Sequence, residues 1–238
     1  MVKTRPGIRV DIHPSRHVRE SLGILRAHPF TLLEIAAFGV IPTAGNYLVT
    51  STWTGIVVFQ IPFIIAQQVV YGALVLAVAS FADATLSTAA DVLQAYRIAL
   101  GKLRDLVEVF ARQIGAAFLL TITVVGIPWA IRLFVRWSFG IYAVVLNDLS
   151  AKDAISFSCD LVTGRWWQVT GLLLATFAPG GIISLLILLL TQSTLVSLLF
   201  SVMYALVATP FYATFWTLQF LELRASHPDY QAETMCAT

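Results

Sequence analysis

The chain has 238 residues, of which 58% are hydrophobic and 12% are charged, and its mean hydropathy is +0.82. The net charge of +2 is too small to predict nucleic-acid binding. Residues 35–82 and 166–221 contain no Asp, Glu, Lys or Arg, and such windows are too long for helices of a soluble core. We therefore predict an all-α, polytopic membrane protein, with no separate catalytic domain beside its spans.

Residues 1–29 form a polar and basic segment in which we expect an amphipathic helix. No apolar stretch precedes Phe30 and no small-residue cleavage site is present, so the segment is not typical of a signal peptide. We expect the first span to act as the targeting signal.

A helix needs about 20 apolar residues to cross the hydrocarbon layer, and the membrane domain, residues 30–224, has room for six spans. The predicted spans form three hairpins, at about 30–50, 55–82, 108–128, 129–149, 166–191 and 194–222. The third rests on the uncharged stretch 113–131. The fourth carries Arg132 and Arg136, each of which costs roughly 2.5–3.5 kcal/mol at mid-membrane, so we expect it to insert together with the third.

The distribution of basic residues predicts the orientation. Thirteen of the fifteen Lys and Arg residues lie before span one, between spans two and three, between spans four and five, or after span six. Cytoplasmic loops accumulate Lys and Arg, so we expect both termini, including the tail 225–238, to be cytoplasmic and the protein to lie in the cell membrane. We also expect these residues to attract anionic lipid headgroups.

Each hairpin is preceded by a stretch that predicts a cytoplasmic amphipathic helix. In the middle copy the apolar residues fall at helical spacing from Val92 to Phe110, as in a helix lying on the membrane surface. Small and basic residues then precede the span in all three copies, as in Gly164-Arg165, which indicates a degenerate internal repeat. The alternative is the ordinary alternation of polar and apolar helices in a multi-span protein.

Four short stretches together form a distinctive pattern. Arg132 and Arg136 stand early in a span, Asn147-Asp148 close it, and 158–167 is rich in Ser, Leu, Gly and Trp; residues 217–224 end in Glu-Leu-Arg. This pattern resembles the membrane domain family of glycerophosphoryl diester phosphodiesterases, although Leu221 stands where that family has an aromatic residue. The resemblance implies a multi-pass fold. The family's phosphodiesterase activity belongs to a separate barrel of about 250 residues, which residues 1–29 cannot hold, so no activity is carried over.

Few residues within the spans indicate chemistry. All four histidines lie in or near the tails, where we expect them at the surface, and neither these nor the two cysteines have metal-ligand spacing. No nucleophile elbow, phosphate loop or dinucleotide fingerprint is present. We therefore predict no metal, no cofactor and no catalytic residue.

Arg132 and Arg136 are the candidate binding residues, because they lie four apart on one helix face and ionisable groups within a membrane are often functional. Two guanidinium groups there could hold an anionic group such as a lipid phosphate. The alternative is structural: both side chains extend to the headgroups or pair with a carboxylate. Glu34 is one such carboxylate, although it is expected near the opposite membrane face.

Gln60, Gln67 and Gln68 in span two are candidates for a polar path. Pro179-Gly180-Gly181 interrupts span five, and broken helices with polar neighbours occur at transporter binding sites. The alternative is an ordinary kink satisfied by neighbouring helices.

Three functions follow, in order of preference. The first is an integral membrane protein without a catalytic centre that serves as an organising or accessory subunit, with a membrane protein or a second copy as partner. The second is a transporter or lipid-handling protein that binds an anionic group at Arg132 and Arg136. The third is a membrane-embedded lipid enzyme.

Overall fold

The computed structural model describes residues 14–40, 61–82, 92–122, 124–190 and 194–227. Within these ranges the fold is all-helical, as predicted, and contains no strand. The ten α-helices, with a short 3₁₀ turn at Val124–Gly126 between the fifth and sixth, are α1 (Pro14–Ala27), α2 (Pro29–Phe38), α3 (Ile61–Ala82), α4 (Val92–Gly101), α5 (Leu103–Thr121), α6 (Ile127–Trp137), α7 (Gly140–Asn147), α8 (Ala151–Val162), α9 (Trp166–Leu190) and α10 (Thr194–Ala225).

Four stretches are long and apolar enough to cross a membrane, which indicates a membrane protein. They are Pro62–Ala82 in α3, Ile127–Asn147 across α6 and α7, Trp166–Ile187 in α9 and Leu195–Ala225 in α10. They match the predicted second, fourth, fifth and sixth spans. The first predicted span begins as α2, and its remaining residues lie outside the described ranges. The predicted turn at 50–54 also lies outside them.

The predicted third span, 108–128, overlaps α5 but extends beyond its end at Thr121, and α5 differs from the four apolar stretches in its charge. Its first ten residues include four charges, Arg104, Asp105, Glu108 and Arg112, so α5 does not reach the hydropathy of a span over its length. The predicted surface helix from Val92 to Phe110 is also two helices, α4 and the start of α5, which meet at Lys102. In α4 the fully buried positions are Ala95 and Ala99, whereas Leu93 and Leu100 are exposed.

A break at residues 138–139 divides the predicted fourth span into α6 and α7. The Ser158 hydroxyl on α8 donates to the Arg136 carbonyl at 2.7 Å and accepts from the Phe139 N–H at 3.1 Å. On the other side, the Gln113 amide of α5 donates to the Trp137 carbonyl at 2.5 Å. Non-helical backbone in a membrane protein is tolerated where neighbouring side chains satisfy its polar groups, and these two residues do so.

The core lies where α3 meets α4, α5, α7 and α10. The largest fully buried side chains include Phe139, Phe220, Leu32, Ile35, Leu74 and Leu106. A Cβ at Gly72 of α3 would lie 3.4 Å from Leu106 of α5 and 3.6 Å from both Ala99 of α4 and Val145 of α7. These are ordinary van der Waals distances, so the three helices meet α3 closely at this point.

Polar side chains fix the ends of α7 and α8 in this core. Lys102 donates to the carbonyls of Val144 and Val145 at 3.2 and 2.9 Å and pairs with Asp148 at 2.9 Å. A cation at a helix C-terminus satisfies carbonyls that lack helical partners and interacts favourably with the helix dipole. At the start of α8, Ser150 is the N-cap.

Most of α9 and the first half of α10 are exposed, although Val169 and Leu172 at the start of α9 belong to the core. Only 11% of the most apolar part of each is buried, against 56% for α3. Their exposed apolar side chains include Leu174, Ile182, Leu185, Leu189, Leu199, Met203 and Val207. We infer that this surface contacts lipid, because water-exposed apolar surface of this extent is rare in soluble proteins.

Candidate functional site

Arg132 and Arg136 lie one turn apart on α6, as the sequence predicts. Arg132 is exposed and Arg136 is half-buried. Within the described ranges neither guanidinium forms a hydrogen bond or an ion pair, and Glu34, an exposed residue of α2, does not pair with them. Both cations are therefore available to an external anion.

The surroundings of these two arginines are apolar and exposed. Ile127, Trp129, Ile131 and Phe134 on α6 are between 42% and 60% exposed. α5, which packs against α6, has exposed apolar side chains of its own, Ile114, Phe118 and Leu119. The helix α6 thus presents apolar side chains suited to lipid tails and two cations suited to lipid headgroups.

The glutamines predicted to form a polar path separate in the structure. Gln60 lies outside the described ranges, and Gln67 and Gln68 are neighbours on α3 that point in different directions. Gln67 lines a cavity of about 220 Å³ with Ser184, Ser201, Tyr204 and Thr209, which we call the α3–α9–α10 cavity; Gln68 is not part of its lining.

The predicted interruption at 179–181 is not a break, because α9 continues through Pro179 to Leu190. Its glycine has a packing role instead. A Cβ at Gly180 would lie 2.5 Å from the Tyr204 hydroxyl of α10, whereas a Cβ at Gly181 would meet nothing within 4 Å. Gly180 is therefore the point at which α10 approaches the α9 backbone.

A larger cavity of about 460 Å³ lies between α1, the end of α3 and the end of α10. Charged and polar side chains line one part of this α1–α10 cavity, namely Arg16, His17, Glu20, Glu222 and Arg224; its apolar part includes Ala82, Leu218 and Leu221. The sequence pattern did not predict this site, because we expected the histidines at the surface.

His17 contacts both carboxylates that line the α1–α10 cavity. It is 3% exposed, its Nε2 is hydrogen-bonded to the Glu222 carboxylate, and its Nδ1 lies 3.7 Å from Glu20. Arg16 donates to Glu20 at 2.7 Å, and this hydrogen bond together with the carboxylate charge raises the pKa of Arg16. The helical spacing of Arg16, His17 and Glu20 was visible in the sequence, but their partner on α10 was not.

The hydrogen bonds in this region hold helices together. Arg224 donates to the Asn147 side chain at 2.8 Å, and Arg165 donates to the Ser226 hydroxyl at 2.8 Å.

Within the described part of the chain, no group of three or more His, Cys, Asp or Glu side chains could hold a metal ion. The arrangement can bind ions and polar groups through hydrogen bonds.

Comparison of the chain with protein families, with curated proteins and with solved structures finds no match.

Proposed function

We propose that this chain is an integral membrane protein without a catalytic centre of its own, an organising or accessory component of a membrane process that holds anionic lipid headgroups at Arg132 and Arg136. The observation that carries the proposal is the position of two unpaired guanidinium groups on a helix whose apolar side chains are exposed.

The geometry of α6 suits a phospholipid better than a soluble anion. Side chains four residues apart lie about 5–6 Å from each other at Cβ, so both guanidinium groups can reach one phosphate or two adjacent ones. Arginine binds phosphate through two parallel N–H donors. Trp129, which lies one turn before Arg132 on the same helix face and is 60% exposed, supplies apolar surface for the acyl chains of the same lipid.

The roles of polar side chains elsewhere support a non-catalytic protein. Lys102, Gln113 and Ser158 each bond backbone carbonyls at the ends of α6 and α7. Side chains that are committed to backbone groups are poorly placed to transfer protons or attack a substrate.

The transport alternative is less well supported. Transport of an anion past Arg132 and Arg136 needs a cavity that reaches them, and the α3–α9–α10 and α1–α10 cavities are lined by other residues. We therefore favour a lipid that is held at α6 over an anion that passes through the protein.

We also propose the full topology of six spans, with both termini cytoplasmic and each hairpin preceded by an amphipathic helix. Helices at the three predicted positions, α1, α4 and α8, support this arrangement. The basic residues between the spans support the orientation.

We further propose that residues 131–224 belong to the membrane domain family that their pattern resembles. In its support, parts of the shared pattern contact each other: Asn147 bonds Arg224, and Ser158 bonds the carbonyl of Arg136. These contacts would mean that the shared residues stabilise the fold and do not take part in a reaction.

The test is binding of phosphatidylglycerol and of phosphatidylcholine to the purified protein, measured by native mass spectrometry in detergent. We expect phosphatidylglycerol to bind more tightly. Loss of charge-assisted hydrogen bonds in an Arg132→Gln/Arg136→Gln variant should weaken phosphatidylglycerol binding about tenfold, with little change for phosphatidylcholine.

The matched control is Arg97→Gln/Arg104→Gln, which removes the same charge from two exposed residues outside α6. If both double variants weaken phosphatidylglycerol binding equally, the effect depends on net charge alone, which would contradict a site on α6. Unchanged binding in the α6 variant would contradict the proposal altogether.

A further inference from the structure

Among the residues that the structure describes, those that line the α3–α9–α10 cavity carry no charge. Its polar residues carry an amide and four hydroxyls, those of Gln67, Ser184, Ser201, Tyr204 and Thr209. A phosphate or a carboxylate would have no countercharge here, so an anionic ligand is disfavoured. Hydroxyl and amide groups instead suit an uncharged ligand with hydrogen-bonding oxygens.

Gln67 lacks a partner in this cavity. Within the described ranges its side-chain amide forms no hydrogen bond. The amide is half-buried, so a ligand that fills the cavity and bonds it supplies a partner that the described residues do not. The amide offers both donors and an acceptor to such a ligand.

Two hydroxyls of the lining have their hydrogens already directed. Ser184 donates to the Gly180 carbonyl at 2.8 Å, and Tyr204 donates to the Tyr212 hydroxyl at 3.1 Å. Their oxygens therefore remain as acceptors for a ligand hydroxyl. The Tyr204 oxygen reaches this position because Gly180 has no side chain in its way.

The cavity lies far from the α1–α10 cavity and close to lipid-exposed surface. Gln67 is fifteen residues before the end of α3 at Ala82, which corresponds to about 22 Å along the helix. Around it, Leu185 of α9 and Leu199 and Met203 of α10 are between 55% and 58% exposed. A ligand that enters from this side arrives from the membrane.

We propose that the α3–α9–α10 cavity binds the uncharged, hydroxyl-bearing headgroup of a neutral lipid of the diacylglycerol class. The ligand hydroxyl donates to Ser184 or Tyr204 and the Gln67 amide donates to an ester oxygen. The acyl chains follow the exposed apolar faces of α9 and α10. This site is separate from the anionic-lipid site on α6 and differs from it in the charge of its ligand.

The experiment measures binding of dioleoylglycerol to the purified full chain by native mass spectrometry in detergent. Wild type is expected to retain one molecule. Gln67→Leu, which keeps the side-chain size and removes the amide, should weaken binding about tenfold. The matched control is Gln68→Leu, because Gln68 is the next residue of α3 and does not line the cavity; its binding should equal that of wild type.

A second pair of variants changes the cavity without removing its polar groups. Gly180→Ala displaces Tyr204 and should also weaken dioleoylglycerol binding, whereas Gly181→Ala should not. Circular dichroism and the unfolding midpoint of each variant verify that it is folded.

Three results would overturn the proposal. One is equal binding by the folded Gln67→Leu and Gln68→Leu variants. Another is Gln67-dependent binding of dioleoylphosphatidylglycerol as tight as that of dioleoylglycerol, since the cavity would then accept a charge. The third is displacement of dioleoylglycerol by free glycerol at similar concentration, which would make the ligand a soluble polyol rather than a lipid.

Discussion

Ser158 illustrates how much a single side chain contributes to this fold. It is fully buried on α8, and its hydroxyl bonds two backbone groups at the break between α6 and α7, the Arg136 carbonyl and the Phe139 N–H. Replacement of such a residue leaves a donor and an acceptor unpaired in the interior, which is more costly than the loss of an exposed hydrogen bond.

We expect Ser158→Ala to destabilise the protein by about 1–3 kcal/mol, because the Phe139 N–H and the Arg136 carbonyl lose their partner. The measurement is the unfolding midpoint in detergent, followed by tryptophan fluorescence. Ser156→Ala, on the exposed face of the same helix, is the control and should leave the midpoint unchanged. Equal midpoints for the two variants would show that the hydroxyl of Ser158 does not support the break.

Sequence alone predicted the placement of Arg132 and Arg136 on one face, because helical spacing determines it. It did not predict the role of His17 or Ser158. A histidine or a serine in an amphipathic helix is typical of a surface. Here the partners lie outside the helix, 205 positions away for His17 and Glu222 and 19 to 22 positions away for Ser158. Such pairings depend on tertiary packing, which local periodicity does not encode.

At the scale of helices, apolar length was the reliable signal and continuity was not. α3, α9 and α10 match their predicted spans because an uncharged stretch of that length has few alternatives to a helix. The break between α6 and α7 was not predicted, because its only marker is Gly140, directly after it, and a single glycine within an apolar stretch is tolerated in a helix. Conversely, Pro179 and two glycines predicted an interruption of α9 that is absent.

The contact between α9 and α10 makes a prediction about two neighbouring glycines. Gly180→Ala places a methyl group 2.5 Å from the Tyr204 hydroxyl and 3.1 Å from its ring, so α10 or the tyrosine must shift. We expect a loss of about 1–3 kcal/mol, as for overpacked cores. Trypsin and chymotrypsin sensitivity in detergent, together with the unfolding midpoint, measures the effect.

Gly181→Ala provides the comparison, because its Cβ would meet nothing within 4 Å and alanine favours a helix. This variant should equal or exceed wild type in stability. If the two alanine variants behave alike, the approach of Tyr204 to α9 does not limit packing.

At the scale of the whole molecule, the packed core and the exposed apolar surface occupy different regions. α10 shows the division within one helix: residues such as Phe215, Trp216 and Phe220 are buried, whereas Leu195, Leu199 and Met203 are exposed. At 32 residues α10 is about 48 Å long, well beyond the hydrocarbon thickness of about 30 Å. We infer that its first part lies in lipid and that its last part belongs to the core at the membrane boundary.

The change from charged to apolar side chains along α5 predicts where this helix enters the hydrocarbon layer. Arg112 is exposed and charged, and Phe118, less than two turns later, is 64% exposed and apolar. In a variant without native cysteines, a membrane-impermeant maleimide should label Arg112→Cys from the cytoplasmic side and should not label Phe118→Cys from either side.

After unfolding in detergent, the introduced cysteine of each variant should react with the maleimide, which verifies that it is reactive. Labelling of Arg112→Cys from the outer side would contradict the proposed orientation. Labelling of Phe118→Cys in the intact membrane would contradict a lipid-facing position for the second half of α5.

The bond between His17 and Glu222 joins nearly the two ends of the described chain, and it has a consequence for assembly during synthesis. When α1 leaves the ribosome, the carboxylate and the apolar face that will cover it have not been translated. α1 must therefore remain undocked until α10 is in place, and closing so long a loop carries an entropic cost that local helix pairs do not. Docking of α1 against α10 is thus a late step of assembly, and a ribosome-bound chain truncated before residue 222 would still expose α1 to proteases.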